Sequence, residues 1–324
     1  MVAGAAFAAD VSAKVKIDGS LFNYDGSTIS MFKVKHQQES WNPILDFKFN
    51  GEKAGAEIKF YNYSGTWDSN GYEDTLTSTI HDTEWSVWFK PFDILKISTG
   101  KIGTNLNQET IDWSNTKTGC DGYGYAAGVS TNGISFDLMM LPGADKYWFT
   151  KAEGADATIA ETYFKAGYSA DFGTVNAMFD YKKDDMKFGV GYSGAAGAVS
   201  YFVNAIGYYK TEFTAVRFEP FVAYSAGALS VKLWNPIDYS LTADSDALDV
   251  NTVLKASYGL GSITPFLYVN ADNWCSSSKK ITVKPGVDGS VGEMSYGVYL
   301  NITIPTAENS KVSVDVPVYF TVNF

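Results

Sequence analysis

The sequence is short of several things that other functions need. It has two cysteines, two histidines and, among 25 basic residues, a single arginine, Arg217. His36, His81 and two distant cysteines do not have the spacing of a zinc site. Cys120 and Cys275 are too few for a disulfide framework. Their sparseness fits an exported protein, and a bond between them is left open at this stage. No run of about 18 apolar residues occurs, which excludes a transmembrane helix. Nor is there a basic surplus: 36 acidic residues outweigh the 25 basic ones, for a net charge of -11. Nucleic acid, which needs a basic surface to neutralise its backbone, is therefore not an expected partner.

What is present is rings and glycine. The 324 residues include 21 Phe, 21 Tyr and eight Trp, with 30 Gly against nine Pro, and 45% of the chain is hydrophobic. That is too aromatic for a disordered segment and points toward strands and turns. The mean hydropathy is only -0.11. Strands that are apolar on one face and polar on the other average to such a value while still presenting a surface to lipid.

The alternation is explicit at the C-terminal end, where Val312, Val314, Val316, Val318, Phe320, Val322 and Phe324 occupy every second position. Ser313, Asp315, Pro317, Tyr319, Thr321 and Asn323 lie between them. A period of two over this length is an amphipathic strand, and about ten residues is what a tilted strand needs to cross a bilayer. The pattern recurs at Val11 to Ile17, Leu45 to Phe49, Trp85 to Phe89, Ile134 to Met140, Met186 to Tyr192, Ile263 to Val269 and Met294 to Ile302. No comparable stretch has helical spacing.

Connections alternate in length. Tight turns fall at 51–53, 91–93, 132–133, 171–173, 194–197, 226–228, 260–262 and 289–292, and mostly longer ones at 64–79, 103–122, 142–158, 240–248, 273–280 and 305–310. Short turns at one end and long loops at the other describe an all-β, antiparallel, up-and-down transmembrane barrel, with periplasmic turns and extracellular loops. Placing both termini at the short-turn end requires an even strand number. Reading 25–39 as the first long loop gives eighteen strands, with sixteen the alternative.

The first residues are small or apolar and finish as Ala6-Phe7-Ala8 before Ala9-Asp10, which suits a signal peptidase. The expectation is a residual signal-like segment over 1–8 and a single barrel domain over 9–324. With the terminal Phe324 and the alternation along nearly the whole chain, these features resemble bacterial outer-membrane porins. The resemblance implies a water-filled channel in the outer membrane for passive diffusion of small hydrophilic solutes and ions. It also implies contact with outer-membrane lipid, a homotrimer, no cofactor, and a third long loop, here 103–122, folded inward as a constriction.

Alternation assigns the inward side chains. Lys14, Lys16, Lys48, Lys59, Lys96, Arg217 and Lys232 are expected on the channel wall. Glu109, Asp112 and Asp121 on the third long loop would face them across the narrowest section and create a transverse field. Trp88, Trp234 and Tyr268 are inward rings that could stack against sugars, the alternative substrate class.

Other chemistries find little support. Ser98-Thr99-Gly100-Lys101 lacks the first glycine and the final Ser or Thr of a phosphate loop. Asp244, Asp246 and Asp249 lack the glycine and terminal glutamate of a calcium loop, and read as a solvated acidic segment. A barrel hydrolase would need Ser and His together. A surface adhesin would carry a continuous apolar band exposed to water.

Overall fold

The computed structural model describes residues 8–35, 45–62, 80–111, 114–115, 119–143, 146–151, 154, 156–242, 247–275, 279–306 and 310–323, with the side chains of 8–18, 33–35, 45, 61–62, 80–83, 110, 114–115 and 323 outside that description. A 22-segment antiparallel sheet dominates. Four of its rows each consist of two collinear segments that pair with the same neighbour, so the 22 segments form eighteen rows among the described residues.

In chain order the rows are β1 (Ala8–Tyr24), β2 (Ile29–Lys35 with Leu45–Asn50), β3 (Ala54–Asn62), β4 (Ile80–Phe92), β5 (Leu95–Thr104) and β6 (Cys120–Thr131). They continue as β7 (Ile134–Leu141), β8 (Glu161–Ala170), β9 (Gly173–Tyr181), β10 (Met186–Ala196), β11 (Val199–Tyr209) and β12 (Phe213–Ala226). The last six are β13 (Leu229–Trp234 with Ile237–Ser240), β14 (Leu248–Val250 with Thr252–Tyr258), β15 (Ile263–Asp272), β16 (Lys280–Val291), β17 (Met294–Tyr299 with Asn301–Pro305) and β18 (Ser313–Asn323). Each row pairs with the next, and β18 returns to β1 through Lys14↔Asn323 to Tyr24↔Val314. The sheet is closed, which leaves no unpaired edge for lipid or another chain to meet.

One expectation is corrected here. Within the stretch 25–39, expected as a long loop, Ile29–Lys35 is a strand that pairs with β1 from Tyr24↔Ile29 to Asp18↔Lys35. A local turn makes this possible: Asp25 Oδ1 accepts the amides of Ser27 at 2.9 Å and Thr28 at 2.8 Å, and Gly26 has φ of 95°. The Leu45–Asn50 segment then pairs with the first part of β1, from Ala13↔Leu45 to Ala8↔Asn50. The two segments are thus one row.

Proline explains where other rows break, since it brings no N–H to the ladder. Asn235 N–H donates to the carbonyl of Pro220 at 3.0 Å, Asn251 N–H to Pro236 at 2.9 Å and Leu300 N–H to Pro285 at 2.9 Å. Hydrogen bonding is carried across each interruption. At the tight-turn end, Asn132 (φ 49°) and Gly133 (φ 80°) form a two-residue hairpin whose positive φ values match the twist of the flanking strands.

The outward face is apolar. Val87, Val175, Val190, Phe218, Leu233, Leu267, Val298 and Phe320 are all exposed. A row of rings crosses the outer face from β7 to β12 and reaches the long-loop end at Phe179, Phe188 and Phe213: Phe136, Phe164, Phe179, Phe188 and Phe213 follow one another at centroid distances of 6.4, 6.2, 5.0 and 6.4 Å. Tyr168, Tyr224 and Tyr258 are exposed near the opposite end. An apolar belt between two ring-bearing margins is the surface that a bilayer and its interfaces require.

Candidate functional site

The connection between β5 and β6 spans residues 105–119, and its described part, 105–111, lies against the inner wall of the barrel. Two of its apolar side chains drive this, because Leu106 and Ile111 are each only 1% exposed. Leu106 packs among inward residues of β6 to β11: Cys120, Met139, Leu141, Tyr163, Met178 and Ile206. Ile111 sits in a small hairpin, Thr110–Ile111 against Ser114–Asn115. It enters a cluster of Phe202, Phe221, Ala223, Trp234, Val253, Phe266 and Tyr268. Burying each of these two aliphatic side chains contributes about 1.5–3 kcal/mol.

Polar groups of the wall fix the loop's path. Lys165 Nζ donates to the Asn105 carbonyl at 2.5 Å, and Asn176 Nδ2 donates to the Leu106 carbonyl at 3.3 Å and to Asn107 Oδ1 at 3.1 Å. Asn107 Nδ2 donates to Asn204 Oδ1 at 2.9 Å, and Asn204 Nδ2 returns a bond to the Asn107 carbonyl at 3.1 Å. Farther along, Glu109 forms an ion pair with Lys232.

The floor under this segment is made of glycine. A Cβ on Gly189 would stand 3.1 Å from Leu106 Cδ2, and one on Gly191 would stand 2.5 Å from Asn107 Nδ2. Both lie on the inward face of β10, alternating with the outward Phe188 and Val190. Gly189, Gly191, Asn176 and Asn204 were not anticipated as site residues. The signal available in the sequence was that β10 places glycines, rather than the larger polar side chains usual in a water-filled lumen, at successive inward positions, a mark of close approach by another backbone.

The expected wall residues have varied fates. Lys48 lies on the wall with Asp46 and Glu57, both at 3.1 Å, and Lys59 lies 3.0 Å from Glu57. Lys96 and Lys90 approach the Trp88 ring at 5.3 and 5.7 Å from its centroid. Glu109 and Lys232 are brought together by the inserted loop. Lys14 and Lys16 belong to β1, with side chains outside the described residues, and Asp112, like Asp244 and Asp246, lies outside them altogether.

Three expectations change. Asp121 does not face the lumen: it is exposed on the outward-facing register of β6, opposite Gly103, and bonds Lys101 at 2.6 Å. The strand begins at Cys120, so Asp121 belongs to β6 rather than to the loop and takes an outward strand position. Arg217 does point inward, yet its guanidinium is engaged by the wall itself, with Nε donating to Glu219 at 2.6 Å and Nη1 to Asp238 at 2.9 Å. Its ion pairs are with these wall carboxylates, whereas Glu109 of the loop pairs with Lys232. Trp234 and Tyr268 are 7% and 2% exposed because Ile111 covers their cluster, so their faces are not open to a solute. Cys120 and Cys275 are both free thiols, the first buried on the inner wall and the second exposed in the 273–279 connection.

Solved structures supply the comparison. A BenF-like porin from Pseudomonas fluorescens Pf-5 superposes with a TM-score of 0.59 at 8% identity, covering 98% of this chain and 99% of that one. The fold is that of the outer-membrane porins. OpdQ of Pseudomonas aeruginosa gives a TM-score of 0.61 at 8% identity over 98% of this chain and 97% of its own. OpdK of the same organism, solved with vanillate, gives 0.57 at 8% identity, covering 98% of this chain and 99% of that one. No protein-family model matches the chain, and no curated protein does. At this identity the shared property is the porin barrel, carried by alternation and closure rather than by conserved side chains.

Proposed function

We propose that the protein is a bacterial outer-membrane channel for passive diffusion of small hydrophilic solutes and ions, narrowed by the 105–119 loop. The observation that carries this reading is the loop held inside a closed barrel by Leu106, Ile111 and the Asn107–Asn204 pair. A barrel of this size leaves an aqueous channel, and a loop seated on the inner face of β6 to β15 narrows it. Liposome swelling with neutral solutes of graded size is the test. Entry of small solutes with a sharp size cut-off supports the channel, and no entry of any solute contradicts it.

One observation favours anions among those solutes. Lys232 stands directly opposite Lys255 in the β13–β14 register, and Lys284 lies two rows farther on, 5.1 Å from the Tyr268 centroid and 5.7 Å from that of Tyr299. Like charges set opposite one another are costly in a sheet and favour a negative occupant nearby; Glu109 supplies part of that charge. The vanillate in the OpdK structure is a small aromatic acid, and the facing lysines suit an anionic solute better than an uncharged sugar. A reversal potential measured across a salt gradient separates the two readings: anion preference supports the first, and indifference to charge the second.

A further inference from the structure

We infer that Arg217, the single arginine of the chain, is a positioning residue for the pore loop and does not itself line the path of the solute. Its side chain is 14% exposed, and it clamps Glu219 and Asp238. Glu219 has no exposed side-chain surface, and its second oxygen accepts Asn204 Nδ2 at 3.2 Å. Asn204 is likewise fully buried and is the residue that grips Asn107 of the loop. The relay runs from Arg217 through Glu219 and Asn204 to Asn107.

The chemistry of each link gives the relay its direction. With the guanidinium bonded to it, Glu219 accepts from both neighbours and donates to neither. Asn204 must therefore turn its NH2 group toward Glu219. One amide hydrogen goes to Glu219 and the other to the Asn107 carbonyl, which leaves Asn204 Oδ1 to receive Asn107 Nδ2. An amide rotated end for end would put its oxygen against the carboxylate and lose both bonds to the loop. A buried carboxylate needs its cation in place to stay where it is, so removing Arg217 frees Glu219 and, through it, the orientation of Asn204. Lysine is a poor replacement, since one ammonium does not reproduce a planar fork that holds two carboxylates.

The molecule contains its own reporter. Cys120 is 8% exposed on the inner wall and packs in the cluster that Leu106 caps, while Cys275 is exposed. In a Cys275→Ser background, lifting the loop uncovers the one remaining thiol. The experiment measures the rate at which a hydrophilic maleimide labels Cys120 in the folded barrel, with heat-modifiable migration on gels as the check that the barrel is intact. Arg217→Gln and Asn107→Ala should each raise the labelling rate at least tenfold, and the double variant should be no faster than the faster single, because both act on one linkage. Arg217→Lys, which keeps a charge in the wall, serves if Arg217→Gln does not assemble, and should also release Cys120. Intact barrels in which no Arg217 variant changes the labelling rate would overturn the inference. Additive effects of Arg217 and Asn107 would overturn it as well, by placing them on separate linkages. The inference uses the channel reading only for its consequence in the pore: labelling needs no conductance, so failure to form channels and failure of the relay are separate results.

Discussion

Asn107 and Asn204 hold each other by two hydrogen bonds, the side-chain amide of Asn107 reaching Asn204 Oδ1 at 2.9 Å and the Asn204 amide reaching the Asn107 carbonyl at 3.1 Å. One residue belongs to a loop and the other to the barrel wall. This pair, with the apolar anchors on either side, makes residues 105–111 part of the interior rather than a surface connection.

Gly191 provides the closest test of that seat. A methyl group there would stand 2.5 Å from Asn107 Nδ2 and 2.6 Å from Asn204 Oδ1, so Gly191→Ala should separate the pair while leaving the ladder of β10 intact. Losing buried, satisfied hydrogen bonds costs about 1–3 kcal/mol. Limited proteolysis within 105–119 should therefore accelerate roughly fivefold or more, with heat-modifiable migration unchanged.

Much of the barrel was legible in the sequence because a period of two is a backbone property that each strand displays by itself. The Val312 to Phe324 run and the Trp85 to Phe89 run need no partner to be recognised. Ile29–Lys35 was misread for a different reason: whether it is strand or loop depends on pairing with β1 and on the Asp25 turn, which are a tertiary and a local polar feature. The site was less legible. Lys232 was expected on the wall and Glu109 on the loop, but their meeting depends on Ile111 entering a cluster drawn from β11 to β15. Trp234 and Tyr268 followed the alternation correctly and are nevertheless covered, since alternation assigns a face and does not say what lies over it.

Charge in the constriction should follow Glu109 and Lys232. Each side chain is 33% exposed, and a pair so open to water contributes about 0–1 kcal/mol, so neutralising it should leave the loop in place. Its effect is on the field. Glu109→Gln should shift the reversal potential toward anions, and Lys232→Met should shift it toward cations. Shifts of the same sign in both variants would refute this assignment.

The outward neighbour of Gly191 has a different role. Val190 is exposed on the apolar face midway along β10, and Val190→Arg should destabilise the barrel by about 2–4 kcal/mol in lipid, the cost of an arginine near the bilayer midplane. Equilibrium unfolding from liposomes measures this. An effect near zero would mean that Val190 does not face hydrocarbon.

Acid should act on the 25–28 turn. The amide of Thr28, followed by the hydroxyl and amide of Ser27, holds the Asp25 carboxyl below the usual carboxylate range. Because this value is lower in the folded chain than in the unfolded one, the stabilisation is present at neutral pH and is lost as pH falls through the folded value. Amide exchange at Thr28, compared at each pH with a reference turn at 132–133, should rise selectively under acid, and Asp25→Asn should show the faster exchange already at neutral pH.

Single-channel conductance in a planar bilayer decides whether the inserted loop sets the pore. The native chain should give discrete conductance steps, and a variant in which residues 106–118 are replaced by a short Gly-Ser link should give larger steps with weaker discrimination between ions. Equal steps in both proteins, or no channels from the native chain, would contradict a diffusion pore narrowed by this loop.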